Sequence, residues 1–383
     1  MTNHYDVIII GAGIAGSSCA IQLAKTGAKT LLMDRQAFPR HKTCGEFLSP
    51  ESREMLEYLG VRICDLAVQP SRMDHAKLFM PNGGEISAPF SGHAHGMSRF
   101  ELDRFLHEKA AEFGCEVLTQ VTVTDVTQLE EQRYKVEARQ KGVRVDYYAK
   151  LVIGAFGTKK PRSSKRLLES ESRDKQIFVG FKSHFSGIEV PSRVELYLCK
   201  DGYVGISPVE KATANVAALM TLETIQGNGK SVTDMLYAAS KGHAKLAARL
   251  AEGRSVPGTQ VGVAPIRLSN HLEPWSEYPH IGDALLMIPP LCGDGMSIAL
   301  RSSILVSKWT IPYLQGAVSY EVWKNGYTED ANQEFAQLLR RARRFQKFAL
   351  APTNRYYPLL VRLFPAMASY FVKATRLPEM GKQ

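Results

Sequence analysis

Cysteine is sparse in this sequence, and the six cysteines form no recognisable site. They are scattered over 383 residues, and no two of them have C-x-x-C or zinc-ligand spacing. This low density argues against a disulfide framework, and reduced thiols are typical of a cytoplasmic protein. We also expect no secretory signal, because the apolar run at Val7–Ile10 is short and leads straight into glycines.

Long apolar runs are missing as well. No segment has the roughly 20 uninterrupted apolar residues that a membrane-spanning helix requires. Hydrophobic residues make up 44% and charged residues 22% of the chain, which is typical of a globular protein with a large core. The net charge is +10, and the basic residues are densest at 338–344. We expect no nucleic-acid partner, because no known binding module is recognisable.

The chain opens with a strand–turn–helix–strand pattern. Asp6–Ile10 is a continuous apolar run after its first residue, typical of a buried parallel strand, and Thr30–Asp34 is a second strand after a helix predicted over 17–26. Further strands are predicted between residues 117 and 154, and an antiparallel meander over 177–222. This order predicts an α/β nucleotide-binding domain that is interrupted by a β-sheet substrate domain.

A glycine-rich turn of the G-x-G-x-x-G type joins the first strand to the first helix: Gly11-Ala12-Gly13-Ile14-Ala15-Gly16. Gly11 permits the tight turn, Gly13 lets a pyrophosphate approach the backbone, and Gly16 lets the helix pack on the strand. The N–H groups at the start of the helix then face the phosphates. Asp34 can accept hydrogen bonds from both ribose hydroxyls of the adenosine half. The turn therefore predicts an adenine dinucleotide, and NAD and FAD both remain open.

A second glycine turn favours FAD. A strand predicted at 279–287 carries Gly282-Asp283, and the loop after it opens a helix at Gly293-Asp294-Gly295-Met296. Asp283 can hold a hydroxyl of a polyol chain. The N–H groups of Gly295 and Met296 can stabilise negative charge on a reduced flavin ring. Because NAD has neither a ribityl chain nor this ring, we predict non-covalently bound FAD.

With these residues the sequence resembles the group A flavoprotein monooxygenase superfamily, which includes p-hydroxybenzoate hydroxylase-like enzymes, geranylgeranyl reductases and flavin-dependent halogenases. The resemblance covers residues 5 to 310. Besides the two glycine turns, its parts are Asp34-Arg35, the loop Pro39–Glu46 with Arg40, Cys44 and Gly45, and Ser98-Arg99. It implies that Arg99 and basic residues near Arg40 contact FAD, and that Gly282-Asp283 binds the ribityl and pyrophosphate side.

The implied fold is a Rossmann-like FAD-binding domain of the glutathione reductase type, interrupted by an antiparallel β-sheet substrate domain. We predict three FAD-binding segments, at residues 1–75, 99–175 and 266–315. The substrate domain is predicted at 76–98 and 176–265, and a helical C-terminal region at 316–383.

One motif departs from the family. Gly154-Ala155-Phe156-Gly157 has a phenylalanine where the family usually has an aspartate. In the family's hydroxylases that motif helps to place the pyrophosphate and NAD(P)H. The electron donor is therefore open between NAD(P)H and another reductant.

Two activities are open for an enzyme with the loop Cys44-Gly45-Glu46. Our first expectation is hydroxylation through a flavin C4a-hydroperoxide, which needs a dry pocket; the substrate would be a hydrophobic aromatic, polyketide or isoprenoid molecule of secondary metabolism. The alternative is reduction of C=C bonds in a prenyl or lipid substrate, which needs a proton donor, with Cys44 and Glu46 as candidates. Flavin-dependent halogenases carry a Trp-x-Trp-x-Ile-Pro signature in the substrate domain. Halogenation is disfavoured because the corresponding residues 202–208 lack both tryptophans. A non-catalytic FAD-binding protein is a third hypothesis.

The substrate pocket and the tail complete the predictions. The pocket wall is expected from side chains of the meander: Phe181, His184, Tyr197, Tyr203 and Ile206. Residues 338–376 combine the arginine-rich run with a short apolar stretch. This tail either docks on the FAD-binding domain or makes a peripheral contact with an anionic membrane surface.

Overall fold

The structure, a computed structural model, describes residues 3–130, 133–161, 177–227, 231–364, 374–378 and 380. The strands are β1 (His4–Ile10), β2 (Thr30–Met33), β3 (Phe47–Leu48), β4 (Ser71–Phe79), β5 (Glu85–Gly96), β6 (Glu116–Leu118), β7 (Val121–Gln128), β8 (Tyr134–Gln140), β9 (Val143–Gly154), β10 (Phe178–Ser186), β11 (Arg193–Cys199), β12 (Gly202–Val209), β13 (Thr213–Thr221), β14 (Arg254–Ser255) and β15 (Val261–Ile266). The α-helices are α1 (Ile14–Lys25), α2 (Ser52–Tyr58), α3 (Arg99–Glu112), α4 (Leu222–Ile225), α5 (Val232–Ser240), α6 (Ala244–Ala251), α7 (Gly295–Leu314), α8 (Tyr320–Ala349) and α9 (Tyr357–Leu363).

The first sheet carries the predicted nucleotide-binding unit. Its strand order is β6-β2-β1-β9-β8-β7, with β6, β2, β1 and β9 parallel and the last three strands antiparallel. Both faces of β1 are buried: Val7 and Ile9 pack on the side of α1 and α7, and Ile8 and Ile10 pack on the opposite side. A continuous apolar strand is therefore required at this position, as the sequence indicated.

The second sheet has the order β14-β10-β13-β12-β11-β4-β5-β3, with β15 paired to β10. It is antiparallel except for the parallel pair of β11 and β4. One face packs against α5 and α6 in an apolar core. Strands β3 and β4 begin at Phe47 and Ser71, ahead of the substrate boundary predicted at residue 76.

The strand predicted at 279–287 is wrong. His280 forms only an isolated parallel bridge with Gly154, and the chain then turns at Gly282, whose φ is +62°. The Ala- and Leu-rich composition of residues 231–252 predicts one helix, but the structure has two, α5 and α6, because Gly242 with φ +87° separates them. Both misses come from backbone turns at glycine that an apolar pattern does not show.

The C-terminal region packs on the first sheet. Trp323, Tyr327 and Phe335 of α8 are fully buried in the core beneath α1 and α7. After α9, Leu377 returns to the same core and is 5% exposed. Among the residues that the structure describes, no helix has the length and apolar character needed to cross a bilayer.

Candidate functional site

The turn between β1 and α1 is tightly fitted to its neighbours. Gly11 has φ +109°, and a Cβ atom there would lie 2.3 Å from the backbone oxygen of Ala155. A Cβ atom on Gly16 would lie 1.8 Å from the backbone oxygen of Gly11. Helix α1 begins at Ile14, and Gly13 precedes it without a capping side chain. The first N–H groups of the helix, including that of the buried Ala15, are therefore available to an anionic ligand.

Two cations stand over this helix start. A Cβ atom on Gly13 would lie 3.5 Å from Nη2 of Arg99 and 3.9 Å from Nζ of Lys42. Asp103 holds Arg99 through hydrogen bonds of 2.6 and 2.7 Å. Burial lowers the pKa of Lys42, and the Arg99 charge lowers it further. Glycine backbone, helix start and two cations together form a cradle that fits a pyrophosphate.

Asp34 lies at the end of β2, where it can meet a ribose. Its Oδ2 accepts a hydrogen bond of 2.9 Å from the Ala12 N–H, and its Oδ1 accepts one of 2.8 Å from the Gln36 N–H. Arg40 bridges Asp34 and Asp103 at 3.3 and 2.7 Å. Arg35, in contrast, is exposed. The structure thus brings Arg40 and Asp34 together with Arg99, and it leaves Arg35 on the surface.

The second glycine turn abuts the first. Gly282 has positive φ, and a Cβ atom on it would lie 2.9 Å from Cβ of Ala15. Asp283 follows at a half-buried position. Gly293, with φ +75°, has Phe47 3.0 Å from the position of its missing Cβ, whereas the Cβ position of Gly295 is open. The start of α7 is therefore accessible at Gly295, although Met296 is buried, and this opening fits an anionic edge of a flavin ring.

A buried ion pair closes this second turn. Asp294 is fully buried directly before α7, and burial raises the pKa of its carboxyl to about 7. Arg376, from the C-terminal segment, donates a hydrogen bond of 2.6 Å to Asp294 Oδ1. The guanidinium also lies over the rings of Phe47 and Phe90, at 5.3 and 5.8 Å. No pattern in the sequence links residue 376 to this turn.

The loop Cys44-Gly45-Glu46 is held from both sides. Ser207 Oγ donates to the Gly45 carbonyl at 2.9 Å, and Asn215 Nδ2 donates to the Cys44 carbonyl at 3.1 Å. Cys44 Sγ is 3.6 Å from the sulfur of Met296, and burial raises the pKa of the Cys44 thiol. Cys44 therefore stays protonated at neutral pH.

Glu46 lies at the centre of a buried charged cluster. It is fully buried, and its carboxylate accepts hydrogen bonds from Lys182 Nζ at 2.7 Å and from His184 Nε2 at 2.6 Å. It also accepts one of 3.0 Å from the Arg99 N–H. Although burial opposes ionisation, these partners lower the pKa of Glu46. Glu46 is thus an anion that joins β10 to the start of α3, and as an anion it is a poor proton donor.

Sequence reasoning missed Lys182 as a site residue. Lysine is almost never fully buried without a partner, so a lysine within the apolar strand β10 was the available signal. The His41, Glu46 and His184 ligand atoms lie within 4.8 Å of one another, as in a metal site. However, Lys182 Nζ lies 3.0 Å from His184 and 3.4 Å from His41. An ammonium group therefore already occupies the place of a cation.

An apolar cavity of about 150 Å³, the loop chamber, opens beside Cys44 and Gly45. A second cavity of about 90 Å³, the tail chamber, adjoins it and is walled by α8 and α9. The two chambers share lining residues: Ala76, Phe90, Leu196, Leu291, Cys292 and Arg376. A larger groove of about 1120 Å³ also borders Arg376, but its lining is polar and of mixed charge. The linings of the two chambers therefore suit an apolar ligand, and the lining of the groove does not.

The predicted pocket wall needs correction. Of the five meander residues, Tyr203 lines the loop chamber. Phe181, Tyr197 and Ile206 pack instead into the core against α5 and α6, and His184 binds Glu46. Side chains alternate between the two faces of a strand, and the choice of face was wrong for Phe181, Tyr197 and Ile206. His184 lies on the same face of β10 as Gly180, which lines the loop chamber, but its ring is bound to Glu46.

Phe156 has a packing role. Its ring meets that of His280 edge-on, with centroids 5.3 Å apart, and it joins the core on the far side of the first sheet. Burial lowers the pKa of His280 to about 3, so this histidine is neutral. A carboxylate at position 156 would therefore meet an apolar wall.

Comparison with known proteins identifies a flavoprotein family and several related enzymes. The family model described as FAD binding domain (FAD_binding_3) matches residues 4–342. A digeranylgeranylglycerophospholipid reductase of Methanococcus vannielii is 26% identical over 80% of this chain and 77% of its own length. A 1H-pyrrole-2-carbonyl-[peptidyl-carrier protein] brominase of Pseudoalteromonas luteoviolacea is 24% identical over 84% of this chain and 82% of its own.

Solved structures show the same fold. The flavin-dependent brominase Bmp2 superposes with a TM-score of 0.77 at 20% identity, covering 99% of this chain and 96% of its own. A flavoprotein/dehydrogenase from Cytophaga hutchinsonii gives a TM-score of 0.75 at 18% identity, covering 92% and 87%. The α/β flavoprotein fold and the resemblance to the group A superfamily are confirmed. The chain belongs to the FAD_binding_3 family and is an FAD-dependent oxidoreductase.

Proposed function

We propose that this oxidoreductase reduces carbon–carbon double bonds in a long, apolar, prenyl-like molecule. The observation that carries the proposal is Cys44, which lines the apolar loop chamber next to the apolar tail chamber. Hydroxylation needs no such acid, whereas reduction requires one. We therefore reverse the order in which the sequence ranked these two activities.

Each part of the cofactor site has a separate proposed role in binding FAD. We propose that Gly11, Gly13 and Gly16, with Arg99 and Lys42, hold the pyrophosphate of FAD. Asp34 would bind the adenosine ribose and Asp283 the ribityl chain, and the start of α7 would face the flavin ring. The three FAD-binding segments and two substrate segments stay a prediction, with β3 and β4 joining the substrate sheet.

The reaction needs two electrons and two hydrogens. FAD would be held by the Gly11–Gly16 turn, Arg99 and Lys42, and when bound and reduced by NAD(P)H or another reductant it would supply the hydride for one carbon of the double bond. Cys44 Sγ gives its proton to the other carbon, and the resulting thiolate takes a proton from water. The Glu46 N–H lies 3.3 Å from Cys44 Sγ and would stabilise this thiolate. Glu46 itself, already ionised, orients the loop.

Relatives support the substrate class. The methanococcal relative is named for reduction of a digeranylgeranyl lipid, and a menaquinone reductase of Mycolicibacterium smegmatis is 32% identical over 33% of this chain. Both names imply isoprenoid chains. The two adjoining chambers offer apolar walls for such a chain beside Cys44.

Hydroxylation is the second candidate, because the loop chamber is lined mostly by apolar side chains that exclude water. Oxygen dependence separates the two activities. Purified FAD-loaded protein, reduced with dithionite, would be mixed with geranylgeraniol in the presence and in the absence of oxygen. The masses of the products would then be measured by mass spectrometry. Reduction predicts products heavier by two hydrogens per double bond without oxygen. A product that forms only with oxygen and gains one oxygen atom would establish hydroxylation instead, and no product under either condition would sink both.

A further inference from the structure

The C-terminal part of the chain carries nearly all of the protein's excess positive charge. From Phe335 to Pro378 there are nine lysines and arginines and no aspartate or glutamate, whereas the whole chain has a net charge of +10. Among the described residues here, Arg344, Lys347, Arg355 and Arg362 are exposed. A surface with one sign of charge attracts an anionic partner.

Helix α9 exposes large apolar side chains among these cations. Leu359, Leu363 and Phe364 are 59%, 63% and 60% exposed. Neighbouring Tyr356 is 54% exposed. A helix that combines exposed apolar side chains with arginines matches the chemistry of an anionic bilayer surface, where the apolar groups enter the acyl boundary and the cations meet lipid phosphates.

The other face of the same helix lines the tail chamber. Tyr357, Leu360 and Val361 form this wall together with Phe345 and Phe348 of α8. One short helix therefore stands between the exposed apolar surface and the tail chamber, which adjoins the loop chamber beside Cys44. Leu360 contributes to both, because it lines the chamber and is 38% exposed.

We infer that α9 docks this protein on an anionic membrane surface and forms the entrance through which an apolar chain passes from the bilayer into the tail chamber. The entrance rests on the proposed function, since the passing chain is the proposed substrate. The docking surface itself does not. Membrane docking at this place means that a lipid chain would reach the chambers without crossing water.

Docking is tested by flotation of the full-length, FAD-loaded protein with vesicles of phosphatidylcholine, with and without phosphatidylglycerol. We expect at least about tenfold stronger binding to the anionic vesicles, and loss of that binding in high salt. The variants L363S/F364S and R355Q/R362Q should each weaken binding about tenfold. The matched controls V143S, at a residue 65% exposed, and K200Q/K241Q, at exposed lysines, should bind like the unmodified protein.

Equal binding by L363S/F364S and the unmodified protein would overturn the docking surface. So would equal binding to vesicles with and without phosphatidylglycerol. If L363S/F364S instead dissolves a dimer seen in solution and leaves vesicle binding unchanged, the face is an interface with a second copy, and the proposal is likewise overturned.

The entrance is tested with geranylgeraniol carried in the anionic vesicles, by following the absorbance change of the bound flavin. L363S/F364S should slow transfer at least about tenfold, while its affinity for geranylgeraniol in detergent stays unchanged. Equal transfer rates would overturn the entrance. A protein that docks and takes up geranylgeraniol but never reduces it would refute the proposed function and leave the docking surface standing.

Discussion

The substitution Glu46→Gln should destabilise the protein strongly. Glu46 and Lys182 are both completely buried, and their charges are 2.7 Å apart. Glutamine keeps the volume of the side chain but leaves the Lys182 ammonium without a counter-charge. Removing one partner of a buried ion pair costs about 3 to 5 kcal/mol, because the remaining charge stays desolvated. We expect a loss of about 3 kcal/mol, since the amide oxygen still accepts one hydrogen bond.

The assay is urea unfolding at neutral pH, followed by tryptophan fluorescence. The double variant E46Q/K182M removes both charges and should recover most of the lost stability, to within about 1 kcal/mol of the unmodified protein. Glu195→Gln is the matched control: Glu195 is equally buried and bound by Arg249, but it lies outside the site. It should lower stability without weakening FAD binding, whereas E46Q should weaken both. If E46Q lowers the free energy of unfolding by less than about 1 kcal/mol, or if the double variant recovers none of the loss, an unpaired Lys182 charge is not what destabilises the protein.

Three further predictions concern the turn, the pH dependence of stability and the tail. Gly16→Ala should yield protein without flavin absorbance, because its Cβ would lie 1.8 Å from a backbone oxygen of the turn, and Gly262→Ala, in ordinary contact, should keep flavin. Burial lowers the pKa of His41 to about 4. As the pH falls below about 6.5, His41 takes up a proton in the unfolded chain but not in the folded protein, so the free energy of unfolding decreases. The urea concentration at the unfolding midpoint should therefore fall less between neutral and acidic pH in His41→Gln than in the unmodified protein. Asp294→Asn removes the counter-charge of Arg376, so trypsin should cleave after Arg376 about tenfold faster; an unchanged rate would argue against this ion pair.

The positions of the two glycine turns could be predicted from the sequence. The glycines of the first turn and Asp34 follow from local rules, because a tight strand–helix turn and a buried helix contact leave room only for glycine at fixed positions. The meander and the helices α1 and α7 likewise follow from periodicity. These features depend on residues close together in the chain.

The partners of the site depend on contacts between distant residues, and these were not predictable. Lys182 and His184 meet Glu46 because β10 crosses behind the loop, and Arg376 meets Asp294 because the chain returns to the core at Leu377. Neither event leaves a periodic pattern. The face of each meander strand was similarly open, which is why Tyr203 was placed correctly and Phe181 was not.

A single turnover without oxygen tests whether Cys44 is the proton donor for reduction of the double bond. Dithionite-reduced, FAD-loaded protein is mixed with geranylgeraniol, and the rate of flavin reoxidation is measured for the unmodified protein, Cys44→Ala and Cys292→Ala. Both thiols line the loop chamber, but the Cys292 thiol has an especially high pKa because of burial and the nearby Asp294 charge. If Cys44 donates the proton, we expect flavin reoxidation to be about a hundredfold or more slower in Cys44→Ala and nearly unchanged in Cys292→Ala. Equal rates in Cys44→Ala and the unmodified protein would contradict it.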